Sequence, residues 1–329
     1  MEKTNKFKVA VVQAGSEIMD KEKGVLKTVR LIKEAGAQGA KIIVFPEAFI
    51  PAYPRGMSFG AVVGSRSPEG RKDFRQYWDN SITAPGPETE TIGKAAKQAD
   101  AYIVIGVIEK DSSGSQGTLY CTALFFGPDG ELLGKHRKLK PTGSERLIWG
   151  QGDGSTLPVF ETPYGRLGAL ICWENYMPLA RAAMYEKGIQ IYVMPTADAR
   201  DTWTATVRHV AAEGRCFVLS CNQYSTKSMY PEEISSRAEF KDLPEEMSRG
   251  GSCIAGPLGE FIAEPVYGEE TILYADLDLD QIAESQFDFD VSGHYSRPDV
   301  FQLTVNEKEQ KTVVWDNSNK KSPSDKIRS

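Results

Sequence analysis

The chain has 329 residues, 40% of them hydrophobic and 26% charged, which is the composition of a soluble globular protein with one large or two ordinary domains. A net charge of −6 without a long basic block argues against a nucleic-acid partner, and the apolar stretches are too short to span a membrane. The five cysteines lack C-x-x-C spacing, so neither a disulfide scaffold nor a structural zinc site is expected, and we predict a cytoplasmic protein with free thiols.

Short apolar runs alternate along the chain with segments of helical spacing, and they predict strands and helices respectively. The predicted strands occupy residues 7–14, 41–45, 101–108, 120–126, 132–136, 157–160, 167–171, 189–194, 216–221, 253–255, 260–263 and 271–277. The predicted helices occupy residues 25–35, 89–98, 178–185, 203–213 and 280–286.

Two tight turns, Pro128–Asp129–Gly130 and Gly256–Pro257–Leu258–Gly259, predict β-hairpins. Because hairpins are mixed with helix-connected strands, we predict an α/β (α+β layered) fold with mixed sheets and not a purely parallel doubly wound sheet. No linker divides the chain, so one domain is predicted over residues 1–305, followed by a polar tail, extended or disordered, over residues 306–329. The charged residues 225–250 predict a mobile surface insertion.

Cys172 follows the predicted strand 167–171 and precedes the helix that Pro178 is expected to open. At such a corner, backbone N–H groups and the positive end of a helix dipole can favour a thiolate, which predicts a lowered thiol pKa. The alternative is that Cys172 is a small buried hydrophobic residue, as most free cysteines are. Its position makes Cys172 a candidate nucleophile.

Three charged residues, Glu47, Lys138 and Glu145, lie at or just beyond predicted strand ends. If these ends converge, a partly buried Glu47 would have a raised pKa and could accept the thiol proton and later return it. Lys138 would lower the thiol pKa and stabilise negative charge on the attacked centre, and Glu145 would hold the ammonium group and help to position a water molecule. The alternative for Glu47 and Lys138 is a solvated strand end or a surface salt bridge.

The three histidines, His136, His209 and His294, are predicted to have structural roles. No H-E-x-x-H or comparable ligand cluster occurs in the sequence, so we predict neither a metal ion nor another cofactor.

Three motifs resemble those of the nitrilase superfamily in order and approximate spacing. They are Phe45–Pro46–Glu47, His136–Arg137–Lys138–Leu139 and Ile171–Cys172–Trp173–Glu174. The resemblance extends from Val9 to about Leu303, and it is closer to plant-type and arylacetonitrile-hydrolysing nitrilases than to the amidase or carbamoylase branches.

The resemblance implies a four-layer αββα sandwich that pairs into homodimers and often into spiral or filamentous homo-oligomers. It implies that Cys172 is the nucleophile, Glu47 the general base, Lys138 the charge stabiliser and Glu145 the second glutamate of the family. Four further residues fall where the family lines its substrate pocket, although ordinary core packing remains the alternative for the aromatic ones. They are Tyr53, Trp149, Trp173 and Thr196.

The hypothesis that follows is a nitrilase whose partners are a small-molecule nitrile and water. The Cys172 thiolate would attack the nitrile carbon to form a thioimidate, water would add, and ammonia would leave a thioester that a second water hydrolyses. Two alternatives stay open: an amidase of the same superfamily, and a catalytically silent oligomeric scaffold.

Overall fold

The computed structural model describes residues 5–112, 116–311 and 313–314. Within these residues the strands are β1 (Lys6–Gln13), β2 (Ala40–Val44), β3 (Ala61–Val62), β4 (Ser65–Arg66), β5 (Tyr102–Lys110), β6 (Leu119–Phe126), β7 (Leu132–Arg137), β8 (Trp149–Gly150), β9 (Val159–Thr162), β10 (Gly165–Ala169), β11 (Ile191–Thr196), β12 (Phe217–Asn222), β13 (Tyr224–Thr226), β14 (Glu246–Ala255), β15 (Phe261–Tyr267) and β16 (Thr271–Asp278). The α-helices are α1 (Lys21–Ala37), α2 (Pro68–Asp79), α3 (Pro87–Ala99), α4 (Pro178–Glu186), α5 (Asp201–Gly214), α6 (Glu232–Ser235) and α7 (Asp280–Ser285).

The first sheet contains seven strands in the order β16-β1-β2-β5-β6-β7, with β8 paired to β6. The strands β1, β2 and β5 are parallel, whereas β16 and β6 pair antiparallel with β1 and β5. The antiparallel pair β6–β7 is the first predicted hairpin. The predicted mixed sheet is therefore confirmed.

The second sheet also contains seven strands, in the order β13-β14-β12-β11-β10-β9, with β15 paired to β14. Its centre is parallel, through β10, β11 and β12, and its flanking strands β9 and β14 are antiparallel to their neighbours. The pair β14–β15 is the second predicted hairpin, with a β14 longer than the sequence indicated.

The two sheets pack face to face, and helices cover both outer faces. Along β1, Val9 and Val11 belong to the core between the sheets, whereas Ala10 and Val12 belong to the core beneath α1 and α3. Side chains alternate in the same way along β11, where Tyr192 and Met194 pack against α4 and α5. Because side chains of a strand point alternately to its two faces, each sheet is buried on both sides, and the result is the predicted four-layer αββα sandwich.

The segment 225–250 lies largely at the surface, as predicted, but it has regular structure and is anchored by a few buried side chains. It contains β13, α6 and the start of β14, and it buries Tyr230, Ile234 and Phe240. The rings of Tyr230 and Phe240 pack at a centroid distance of 5.2 Å. The many charged residues of this segment concealed the few apolar side chains that anchor it.

The domain boundary at residue 305 stays a prediction. Residues 306–311 are exposed and have no regular secondary structure, although Gln310 N donates a hydrogen bond of 2.7 Å to Asp153. Residues 312 and 315–329 of the predicted tail lie outside the described residues.

Candidate active site

Cys172 lies at a sharp bend between β10 and a short 3₁₀ turn, Cys172–Tyr176. Its φ of +51° is unusual for a residue with a side chain, and a strained turn of this kind after a strand is also found at nucleophiles of other enzymes. Asn175 Nδ2 stabilises the bend by donating hydrogen bonds to the carbonyls of Leu170 (3.0 Å) and Cys172 (2.8 Å). Helix α4 begins at Pro178, as predicted.

Glu47 follows β2 and is completely buried. Its backbone is fixed by a hydrogen bond of 2.9 Å from Gln223 Nε2 to the Glu47 carbonyl. The next residue, Ala48, has a φ of +49°. Gly106 of β5 lies so close that a Cβ there would be 2.6 Å from the Glu47 Cα atom, so only glycine fits at this position.

Lys138 follows β7 and joins two carboxylates. Its Nζ atom donates hydrogen bonds of 2.7 Å to Glu47 Oε1 and 2.8 Å to Glu145 Oε2. Glu145 belongs to the 3₁₀ turn Gly143–Leu147, and it also accepts hydrogen bonds from Thr142 N (2.6 Å) and the Tyr53 hydroxyl (2.7 Å). The structure therefore brings Glu47, Lys138 and Glu145 together as one buried ionic cluster.

Burial and the charges within the cluster together set the charge states of its members. Burial raises the pKa of Glu47, and the neighbouring Glu145 raises it further, although the Lys138 ammonium opposes both. Burial alone would lower the pKa of Lys138, but the negative charges of Glu47 and Glu145 outweigh it and raise that pKa well above its usual range. The cluster thus holds a permanent ammonium group beside a carboxylate that gains a proton more readily than an exposed one.

The Cys172 thiol does not have the lowered pKa that the sequence indicated. Burial and the negative charge of Glu47 raise its pKa to about 12, against the opposing effects of Lys138 and a 3.1 Å hydrogen bond from Thr196 Oγ1. The predicted effects of the helix dipole and the ammonium were too small, because the sulfur is withdrawn from water. The resting group is therefore a thiol that needs a base.

A base is at hand. The Oε2 atom of Glu47 is buried and has no hydrogen-bond partner among the described residues. Cys172 and Glu47 are close enough for each to shift the pKa of the other. An acceptor with a free oxygen beside a protonated thiol is the arrangement that nucleophilic catalysis by cysteine requires.

A cavity of about 370 Å³ leads to Cys172, and its walls include Tyr53, Trp173 and Glu145. Two residues assigned to the pocket from the sequence lie behind this surface. Trp149 packs edge-on against Tyr53 at a ring distance of 5.7 Å, and Thr196 is buried against the thiol.

The cavity wall also contains charged residues for which the sequence predicted no role. Asp198 accepts hydrogen bonds of 2.8 Å from both Trp173 Nε1 and Arg200 Nε, and the Arg200 guanidinium lies 4.8 Å from the Trp173 ring. Arg55 and Arg249 line the same cavity. Asp198 and Arg200 lie outside the three motifs, and the sequence alone does not show which side chains face a cavity.

The three histidines are dispersed. His136 is buried beneath the Cys172 bend and is hydrogen-bonded to Glu174, whereas His209 lies 3.5 Å from Glu213 on the exposed side of α5. His294 is exposed next to Tyr295.

In the described part of the chain, no set of three or more His, Cys, Asp or Glu side chains is arranged to hold a metal ion. Among the described helices, none combines the length and apolar character that crossing a membrane requires.

Comparison with known proteins identifies relatives along nearly the whole chain. The family model for carbon-nitrogen hydrolases matches residues 8–287. The chain is 56% identical to an aliphatic nitrilase of Sinorhizobium fredii, covering 94% of this chain and 98% of the relative, and 49% identical to nitrilase 3 of Arabidopsis thaliana, covering 94% and 89%.

Solved structures with this fold are more distant in sequence. Nit3 of Saccharomyces cerevisiae, described as a member of branch 10 of the nitrilase superfamily, superposes with a TM-score of 0.69 at 23% identity, covering 89% of this chain and 97% of that one. The NitFhit protein of C. elegans gives 0.72 at 22% identity, covering 94% and 69%. At these identities the likeness concerns the fold alone.

Proposed function

Since the chain belongs to the carbon-nitrogen hydrolase family, we propose that it is a nitrilase that converts an organic nitrile and two water molecules into a carboxylic acid and ammonia. The observation that carries the proposal is the buried cluster of Glu47, Lys138 and Glu145 beside Cys172 at the end of a small cavity. Nitrile chemistry is preferred over amide chemistry because the curated nitrilases resemble the chain over nearly their full length.

In the first step, Glu47 Oε2 accepts the proton of the Cys172 thiol, and the sulfur forms a bond to the nitrile carbon. The triple bond becomes a carbon–nitrogen double bond, and the proton passes from Glu47 to the nitrogen to give a thioimidate. The Lys138 ammonium offsets the negative charge that develops during this addition, in a site that excludes bulk water.

In the second step, a water molecule loses a proton to Glu47 and adds to the thioimidate carbon. The nitrogen receives protons and leaves as ammonia, so a thioester remains on Cys172. A second water molecule, activated in the same way, breaks the carbon–sulfur bond, releases the acid and restores the thiol.

Aromatic side chains among the charged residues of the cavity wall suit an apolar part of the substrate. Tyr53 and Trp173 would contact the substrate directly, and Trp149 would support Tyr53 from behind. Thr196 would hold the sulfur in the orientation needed for attack. Glu145 would fix the ammonium group and help to position the water, because it accepts hydrogen bonds from both Lys138 and Tyr53.

We also propose a cytoplasmic homo-oligomer, a dimer or a larger spiral or filament. Support for a second copy comes from exposed apolar side chains near the end of the described chain, including Phe287 (90% exposed) and Phe301 (79%). Support for a reducing compartment comes from the five cysteines, which are all free.

The test replaces Cys172 with alanine and compares ammonia release from a nitrile and from its matching amide. We expect wild-type protein to prefer the nitrile, and Cys172→Ala to lose at least about 1,000-fold in kcat/KM. Cys216→Ala, which removes a buried thiol outside the cluster, is the control and should stay within about threefold of wild type.

Each other result points to a different function. A preference for the amide would make the protein an amidase. Absence of hydrolysis over a panel of aliphatic, aromatic and arylacetonitrile substrates would favour a catalytically silent scaffold. Near-normal nitrile hydrolysis by Cys172→Ala would refute the assignment of the nucleophile.

A further inference from the structure

A second buried pair, Glu174 and His136, lies beneath the Cys172 bend and has no part in the mechanism above. Both side chains are essentially inaccessible to solvent. His136 Nε2 and Glu174 Oε2 are 2.8 Å apart. A buried carboxylate is costly unless its hydrogen bonds are satisfied, so its other partners indicate what it does.

The Glu174 carboxylate holds the two segments that carry the nucleophile and the ammonium group. Its Oε2 atom accepts a hydrogen bond of 2.5 Å from Ile171 N, immediately before Cys172. Its Oε1 atom accepts one of 2.6 Å from Leu139 N, immediately after Lys138. One carboxylate therefore connects the segment after β7 in the first sheet with the bend after β10 in the second.

His136 adds a second attachment on the same side. It is on β7, two residues before Lys138, so Lys138 is flanked by two residues that bind Glu174. The other ring nitrogen, Nδ1, is hydrogen-bonded to the Thr156 carbonyl. Lys138 is thus fixed through its own neighbours and not only through its ammonium group.

Both nitrogens of the His136 ring face acceptors, the Glu174 carboxylate and the Thr156 carbonyl. A neutral imidazole has a single N–H, so with Glu174 ionised both contacts are satisfied only when the ring is an imidazolium. Burial alone would lower the pKa of His136, but Glu174 and the Thr156 carbonyl outweigh it and raise that pKa. A buried ion pair contributes little to stability compared with apolar packing, but it can fix the register of the parts that it joins.

We propose that Glu174 and His136 form a positioning pair that sets the distance between the Cys172 sulfur and the Lys138 ammonium across the two sheets. The pair does not touch the substrate. The inference rests on the proposed function only in that the two positioned groups are the nucleophile and the charge stabiliser.

The test compares Glu174→Gln and His136→Gln with Glu109→Gln. Glu109 is a matched control because it is also a buried carboxylate bonded to β7, through Arg137 (2.7 Å), yet it lies outside the catalytic cluster. Two quantities are measured for each variant: the steady-state kinetics with a nitrile, and the rate at which iodoacetamide alkylates Cys172, followed by peptide mass spectrometry.

For the two variants of the pair we expect kcat to fall about 100-fold while KM stays within about threefold, since a misplacement of about 1 Å disturbs the transition state more than substrate binding. The alkylation rate of Cys172 should fall about tenfold, because the thiol is held less well against its base. Glu109→Gln should stay within about threefold of wild type in both measurements.

Equal losses in Glu109→Gln, an unchanged kcat in both variants of the pair, or a rise in KM alone would overturn the proposal. If both variants of the pair fail to fold while Glu109→Gln folds, the pair serves folding and the positioning role is rejected. Alkylation requires no nitrile, so it decides this inference even if wild-type protein hydrolyses no nitrile and the proposed function fails.

Discussion

At the scale of single residues, burial affects the pKa values of Cys172 and Glu47 more than the neighbouring charges do. The thiol has a pKa of about 12 even though an ammonium group is in the same cluster. In the proposed mechanism, a thiol that remains protonated near neutral pH requires the carboxylate of Glu47 as its base. Activity should therefore follow the protonation state of Glu47 and not that of Cys172.

This leads to a prediction for the acid side of the pH profile. Because burial raises the pKa of Glu47, the base is protonated and inactive at a higher pH than a free glutamate, whose pKa is about 4.3. We expect kcat/KM to fall as the pH decreases through this raised pKa, and Glu47→Gln to reduce kcat by about 100- to 10,000-fold at neutral pH.

The profile is measured as initial ammonia release in buffers of constant ionic strength. An acid limb centred near pH 4, the value for an ordinary glutamate, would contradict the raised pKa. Retention of near-normal turnover by Glu47→Gln would remove Glu47 from the mechanism.

Cys172 and the three residues of the cluster could be named from the sequence because their motifs resemble those of the nitrilase superfamily. The raised thiol pKa was not predictable, since it depends on how completely the second sheet and the loops withdraw the sulfur from water. For the same reason the sequence could not show that Trp149 lies behind Tyr53 and not at the cavity surface.

At the scale of secondary-structure elements, the cluster lies at strand ends, and a close approach between β5 and the segment after β2 constrains the backbone of Glu47. Gly106 in β5 packs against the backbone of Glu47 and Ala48. The Gly106 amide also donates a hydrogen bond of 3.1 Å to the Pro46 carbonyl. A larger residue at position 106 must therefore move the segment that carries Glu47.

We predict opposite effects for two glycine-to-alanine substitutions. Gly106→Ala should destabilise the protein by about 1–3 kcal/mol through overpacking and should lower kcat, because its Cβ collides with Glu47. Gly24→Ala should stabilise α1 by about 0.5–1 kcal/mol without changing kcat, since a Cβ there makes only ordinary contact with Ile50 at 3.6 Å.

Both variants are compared by chemical denaturation and by steady-state kinetics. A Gly106→Ala variant with wild-type stability and turnover would show that this close approach does not constrain Glu47. A destabilised Gly24→Ala variant would contradict the space inferred around α1.

Most strands and helices were predictable from hydrophobic periodicity, with ends that shift by a few residues. The segment 225–250 was not, because its composition is that of a surface loop. Only the fold shows that Phe240 packs near Gly56 and that β14 supplies Met247 to the cavity wall.

At the scale of the whole molecule, apolar surface remains uncovered after the four layers have formed. Phe287 and Phe301 project from the last described segment, and Leu179 at the start of α4 is 68% exposed. Exposed large apolar side chains of this kind are typical of surfaces that pack against another chain.

We predict that light scattering gives a mass of at least twice the 36.3 kDa of one chain. Phe287→Ser combined with Phe301→Ser should shift the equilibrium towards the monomer, because it removes apolar area from the contact. Val63→Ser, a change at an equally exposed apolar residue in the β3–β4 turn, is the control and should leave the mass unchanged. A monomeric wild-type protein would contradict the prediction.

Alternating strands and hairpins were sufficient to predict mixed sheets layered with helices, but not their pairing into a sandwich. Whether a strand is buried on one face or on both depends on the second sheet, which is encoded far away in the sequence. The four-layer arrangement could be expected only from the resemblance of motifs such as Ile171–Cys172–Trp173–Glu174.

The most direct test of the account is to identify the atom that becomes bonded to the substrate. Wild-type protein is mixed with a nitrile, quenched with acid during turnover and examined by intact and peptide mass spectrometry. We expect one thioester or thioimidate adduct per chain, located on Cys172 and absent from the other four cysteines. Ammonia release without any adduct on Cys172, or with an adduct on a different residue, would contradict the account.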